Sequence, residues 1–315
     1  MCAVIVDIDR LDANIRQFHA QAEAAGCQVR AHVKAHRTVE IAQRQVAAGA
    51  VGLATHTASA ARRLAAAGIS DVVIAWPWND QWRFAHYAEA AASVPKFAVH
   101  VAAAEVVSGV GAAAVARGVE IGVRIDLRHT PAEQVPQLAE LAAYTEGIRF
   151  DGVAGYSAPA TPSDIADRHS YGRRHAQQVV AAAEAIRARG LDCPVVSIGG
   201  TPTAVAASAV PGVTELCAGA YATYDGGLAQ VGVCTPEQVA VSVAAHASDL
   251  LAGCSQPWAP DLTAMPGTPP YQDRLVPAHI CPLASNLVRQ GQSITAVASG
   301  EPVAHWTPLA APDRT

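Results

Sequence analysis

Short apolar, β-branched runs recur eight times along the chain, each followed by a longer alanine-rich stretch. This alternation constrains the fold more than any other feature, because the hydrophobic period switches between that of a buried strand and that of a helix. The runs lie at 29–34, 52–56, 71–77, 96–101, 119–126, 149–156, 194–200 and 213–221. Stretches of helical period separate them at 39–48, 57–67, 80–91, 102–117, 131–143 and 164–189, with only a short one near 203–207 in the last gap. Gly49, Gly68, Gly118 and Gly190 each follow such a stretch, where a left-handed helix cap favours glycine. Strands alternating with helices imply a parallel sheet, and eight of them close into a (β/α)8 TIM-type barrel. An open doubly wound sheet is the alternative that the count leaves.

The pattern changes near residue 236. A run at 239–247 alternates, a Pro/Gly-rich stretch follows, and short β-like runs come at 275–280, 293–298 and 302–306. The reading is a barrel over 10–235 and a small C-terminal β domain over 236–315, joined by a strand from residues 1–9. With 51% hydrophobic and 16% charged residues, the chain can bury a large core without disulfides. A net charge of −5 without a long basic run argues against nucleic acid as a partner. No apolar run reaches the roughly 18 residues of a membrane span. The start turns acidic at Asp7 and lacks the form of a signal peptide, and the seven cysteines are scattered. Together these point to a cytoplasmic protein with free thiols.

In such a barrel the chemistry sits at the carboxyl ends of the strands, which here carry Lys34, His56, Trp76, His100, Asp126, Tyr156, Gly199, Gly200 and Tyr221. The chain has two lysines, and Lys96 begins a run whereas Lys34 ends one. Burial at a strand end should lower the pKa of Lys34, as Schiff-base chemistry requires, unless the side chain simply reaches solvent. Near the C-terminus His279 and Cys281 stand two apart. On a strand they would share a face, a pair suited to Zn²⁺ or else a structural pair.

The run Arg30-Ala-His-Val-Lys-Ala-His-Arg37 resembles the Arg-Pro-His-x-Lys-Thr-His-Lys motif of the D-serine dehydratase and D-threonine aldolase family. These are fold-type III pyridoxal-phosphate enzymes, more distantly related to alanine racemase. The resemblance continues through residues 45–55 and 64–77, then Ser197-Ile-Gly-Gly-Thr201, Cys217-Ala-Gly-Ala-Tyr-Ala-Thr-Tyr-Asp225 and the segment 276–287. It implies that Lys34 carries pyridoxal 5′-phosphate. It further implies that Ser197, Gly199, Gly200 and Thr201 hold the phosphate, with Gly219, Ala220 and Tyr221 as a second phosphate-holding turn. Tyr156 resembles the tyrosine beside the pyridine ring, although a packing tyrosine also fits. The surroundings of His279 and Cys281 resemble the family's zinc segment.

The implied activity is that of a zinc-assisted lyase on a D-3-hydroxy amino acid. Either water is eliminated to give a keto acid and ammonia, or the Cα–Cβ bond is cleaved to glycine and an aldehyde. Cysteine in the second ligand position resembles the dehydratases more. The family also implies a homodimer. Departures include Ala31 for the usual proline, the absence of the expected glycine and acidic residue in 123–130, Leu251-Ala-Gly-Cys-Ser255 in place of Asp-Ala-Gly, and a shortened stretch over 258–274. These fall on the substrate side and leave open an amino-acid racemase, a non-catalytic cofactor-binding protein or a barrel that has lost its activity.

Overall fold

A computed structural model describes residues 2–309. Strand β1 (Val4–Asp7) leads through helix Ile8–Ala24 into eight parallel strands: β2 (Gln28–His32), β3 (Gly52–Thr55), β4 (Asp71–Ile74), β5 (Lys96–Val101), β6 (Ile121–Asp126), β7 (Ile148–Tyr156), β8 (Val195–Gly199) and β9 (Glu215–Ala218). They close into a barrel in sequence order, β9 pairing with β2. Each strand is buried by the barrel interior on one face and by the outer helices on the other, which is why it reads as a continuous apolar run. The helices end as the sequence indicates. At the end of Ala104–Arg117, Gly118 adopts φ 68° and donates to the carbonyls of Ala114 and Val115.

A second sheet draws on both ends of the chain, with strand order β11-β12-β10-β1-β13-β14. Its later members are β10 (Val241–Ala244), β11 (Ala264–Pro266), β12 (Arg274–Pro277), β13 (Ile294–Ala298) and β14 (Glu301–Trp306). The N-terminal strand lies at its centre, antiparallel to β10 and parallel to β13.

Three sequence expectations are corrected. The first barrel strand stops at His32, and Val33–Ala35 forms a 3₁₀ turn, so Lys34 sits on a turn beyond the strand rather than at its end. The last barrel strand stops at Ala218, short of Tyr221. The run expected as a strand over 275–280 is a strand only to Pro277, and Ile280–Gln290 is an α-helix. Pro282 in its first turn and Gly291 in the left-handed region at its end account for the helix. The C-terminal unit is therefore a sheet carrying a helix.

Candidate active site

Side chains that alternate inward along the strands stack the barrel interior in layers. At the amino-terminal end lies a charged layer. Arg30 Nε meets Glu215 Oε2 at 2.8 Å, Arg124 Nη1 meets Glu215 Oε1 at 2.7 Å, and Arg30 Nη1 meets Asp71 Oδ1 at 2.6 Å. Above it sit the small side chains of Ala54, Val73, Ala98 and Cys217. His32, two residues past Arg30, and His100, two past Ala98, reach the mouth, where His56 joins them just past the end of β3. Small residues beneath and imidazoles above leave a cavity with about 900 Å³ of empty volume, its open mouth included.

Lys34 opens into this cavity, its Nζ 3.5 Å from the Tyr156 hydroxyl and 4.9 Å from the Tyr156 ring centre. The expected fall in its pKa is corrected. Burial is the largest influence and opposes the charge, but Tyr156, Cys281 and Cys217 favour the ammonium, and the net direction is upward. The turn is pinned from below. The Lys34 backbone N–H donates to His32 Nδ1, while His36 Nδ1 accepts from the Thr38 N–H at 3.1 Å and His36 Nε2 donates to Gln45 Oε1 at 3.2 Å. Burial pushes His36 down to about 4.

A histidine near 6.5 when unfolded and near 4 when folded stabilises the protein fully above pH 6.5, and that stability is lost as pH falls toward 4. The expected slope is about 1.4 kcal/mol per pH unit across that window for this group. Thermal unfolding of wild type and His36→Gln over pH 4–7 should therefore converge on acidification; parallel curves would contradict the assignment.

The expected phosphate-binding residues divide. Gly199, Gly200, Thr201, Gly219 and Ala220 line the cavity. Gly200 has φ 120°, and a Cβ there would lie 2.7 Å from the Ser157 carbonyl; one on Gly219 would lie 2.5 Å from that of His32. Only glycine fits the backbone at these two positions on the cavity wall. The Thr201 hydroxyl makes no hydrogen bond among the described residues. Ser197 also lines the cavity, but its hydroxyl donates to Glu215 Oε1 at 2.7 Å and belongs to the floor. Tyr221 does not line it. Lying three residues past the strand, it stacks on Phe18 and bonds His19 Nε2 at 2.9 Å. A glycine cradle, an amine and a free hydroxyl around one cavity suit a phosphate-bearing aldehyde.

Asp126 organises the far wall. It binds His100 Nδ1 at 3.1 Å, His129 Nδ1 at 3.2 Å and the Arg128 guanidinium, bringing Arg128 to 5.4 Å from the Tyr156 ring centre. Burial opposes its charge, yet His100 and Arg128 hold its carboxyl well below the usual range. His56 is pushed down to about 3 by burial and by Lys34, Arg37 and Arg128, so it is neutral. Trp76 and Trp78 pack at the rim, Trp78 Nε1 donating to the His56 carbonyl.

His279 and Cys281 both line the cavity, but from the start of an α-helix rather than a strand. His279 Nδ1 bonds the Ser255 carbonyl at 3.2 Å, which leaves Nε2 free to coordinate. Burial lowers the pKa of His279 and raises that of Cys281. Among the described residues no group of three or more His, Cys, Asp or Glu side chains could hold a metal. The pair offers nitrogen and sulfur donors of the kind that suit Zn²⁺.

Over residues 6–224 the sequence matches the family described as alanine racemase, N-terminal domain. The chain belongs to this family. Within it, a D-threo-3-hydroxyaspartate dehydratase from Delftia sp. is 34% identical over 257 residues, 77% of this chain and 66% of that protein, just under two thirds of its length. Solved structures under the same name include a variant with a histidine replaced by alanine (26% identity, TM-score 0.81, 99% of this chain and 95% of that one). Another has a cysteine two positions later replaced by alanine and is metal-free. The D-threonine aldolase of Filomicrobium marinum shares the fold at TM-score 0.84 and 21% identity, over 98% of this chain and 94% of that one. Against the family's barrel, the residues that sequence reasoning missed are His32, Arg128, Asp225 and Gln256. His32 was legible from its place two after Arg30; the other three lie in loops, where no periodicity marks them.

Proposed function

We propose that the chain is a pyridoxal-phosphate lyase acting on a D-3-hydroxy amino acid, assisted by Zn²⁺ on His279 and Cys281. The observation that carries this is that Lys34 and the His279–Cys281 pair open into one cavity beside a glycine cradle. The names of the relatives support the substrate class, and the 34% identity to a dehydratase together with cysteine at 281 favours elimination over aldol cleavage. When bound, the cofactor supplies an aldehyde and an electron-accepting ring, and the metal supplies Lewis acidity at the β-hydroxyl.

The chain's own residues do the rest. Lys34 Nζ would hold the cofactor and is the base placed to take the substrate's α-proton. The Tyr156 hydroxyl lies 3.5 Å away and can pass that proton on. Gly199–Thr201 and Gly219–Ala220, which line the cavity, would hold the phosphate, with the Thr201 hydroxyl available to bond it. Arg128, fixed by Asp126, keeps a cation beside Tyr156. His279 and Cys281 would hold the ion, which would supply Lewis acidity at the substrate hydroxyl. Tyr271, the late tyrosine a racemase would need, donates to Asp7 Oδ2 at 2.9 Å.

A homodimer and a cytoplasmic location belong to the same proposal. The family resemblance supports the first, and seven free cysteines support the second. Among the described residues no helix is long and apolar enough to cross a membrane.

The test is borohydride reduction of purified protein followed by peptide mass mapping, then assays of ammonia and aldehyde release. D-serine, D-threonine and D-threo-3-hydroxyaspartate are the substrates to compare. Ammonia with keto acid indicates elimination, and glycine with aldehyde indicates cleavage. Removing divalent ions with a chelator should lower turnover by at least about 100-fold while the cofactor's visible absorbance persists, and added Zn²⁺ should restore it. Turnover untouched by the chelator, and equally fast in His279→Ala, rules out the metal role.

A further inference from the structure

Directly behind the His279–Cys281 turn lies a fully buried carboxylate. Asp225 Oδ2 accepts the backbone N–H of Ile280, the residue between the two expected ligands, at 3.1 Å. Its Oδ1 accepts the Leu228 N–H at 2.9 Å, and Gln256 Nε2 donates to both oxygens at 3.1 and 3.2 Å. With every oxygen taken by N–H donors, Asp225 is poorly placed to coordinate an ion itself. Ser255, next to Gln256, is the residue whose carbonyl orients His279. The same loop is tied to the helix once more, where Asn286 Nδ2 donates to the carbonyls of Leu250 and Ala252 at 2.7 and 2.9 Å. The barrel supplies Asp225 seven residues past β9, the loop supplies Gln256 and Ser255, and the turn between β12 and its helix supplies the ligands.

We infer that Asp225, clamped by Gln256, is a positioning residue that fixes the His279–Cys281 turn in its ligand-holding pose and couples it to the cofactor barrel. The role rests on the metal reading above. A buried carboxylate met only by neutral donors is costly, and among the described residues no basic side chain pairs with it. A divalent ion held by the neighbouring turn offsets that charge, so the carboxylate favours the loaded site as well as shaping it.

The test is titration of metal-free protein with Zn²⁺ against a competing chromophoric chelator. Wild type should bind one ion per chain and His279→Ala none at that site. Asp225→Asn, which sets an amide NH₂ against one of the two backbone N–H donors, should lose some thermal stability yet keep its borohydride adduct on Lys34, while its Zn²⁺ dissociation constant rises 10- to 100-fold, the range for outer-shell partners of metal ligands. Gln256→Ala, which leaves the carboxylate and its backbone donors in place, should move in the same direction and decides alone if Asp225→Asn does not accumulate folded. Wild-type protein that binds no ion would sink the metal reading and this inference with it. An intact wild-type site with unchanged affinity in the variants overturns the positioning role alone.

Discussion

Lys34→Ala is expected to lose the borohydride-fixed cofactor adduct and to lower turnover by at least about 10³-fold, the scale of losing a positioned proton-transfer group together with a covalent anchor. The chain offers no substitute. Its other lysine, Lys96, opens β5 at the opposite end of the barrel, with a side chain 60% exposed and paired to Asp71 at 3.0 Å. The glycine cradle is untouched by the substitution, so the cofactor should still bind, reversibly and more weakly. Because Tyr156, Cys281 and Cys217 favour the ammonium form of Lys34, adduct formation in wild type should quicken as pH rises. Mass mapping of reduced wild type and variant checks the assignment. A full adduct on Lys96 in the variant, with turnover retained, would remove Lys34 from the mechanism.

The barrel was legible because a strand buried on both faces leaves a plain trace, as in Val72, Val73 and Ile74 of β4. The place of Lys34 at the cavity was legible because lysine is rare here and stands in a specific motif. What failed were side-chain directions near element ends. Tyr221 continues the apolar run of β9, but the strand has already ended and the ring turns outward to Phe18. For His279 and Cys281 a strand was expected because β-like residues precede them, yet Pro282 and Gly291 bracket a helix and were the better signal. Burial of Lys34 was foreseen, but not the groups that reverse its effect, since Tyr156, Cys217 and Cys281 arrive from three distant parts of the sequence. Ser197 was read as a phosphate ligand because nothing near it in the sequence reveals that Glu215, eighteen residues on, claims its hydroxyl.

That carboxylate gives the second large effect. Glu215→Gln is expected to destabilise the fold by about 3–5 kcal/mol, the range for breaking a buried ion pair by removing one partner. Glu215 is 3% exposed and serves both Arg30 and Arg124, which are buried too; Arg124 Nε already lacks a partner. Burial disfavours the Glu215 charge, yet Arg124, Arg30 and the Ser197 hydroxyl hold its carboxyl far below the usual range. Its stabilisation is therefore present above the unfolded carboxyl pKa and is lost as pH falls below it. Glutamine keeps the shape but removes the charge, leaving two guanidinium groups in the barrel floor with only Asp71 opposite Arg30. At roughly 2 °C per kcal/mol for a chain of this size, the thermal midpoint should drop by about 6–10 °C. Replacing Arg30, Arg124 and Glu215 together by apolar residues should be far milder, because no buried charge is then left uncompensated. Differential scanning of the three proteins decides. If Glu215→Gln melts within about 2 °C of wild type, the buried ion-paired floor beneath the cavity is wrong.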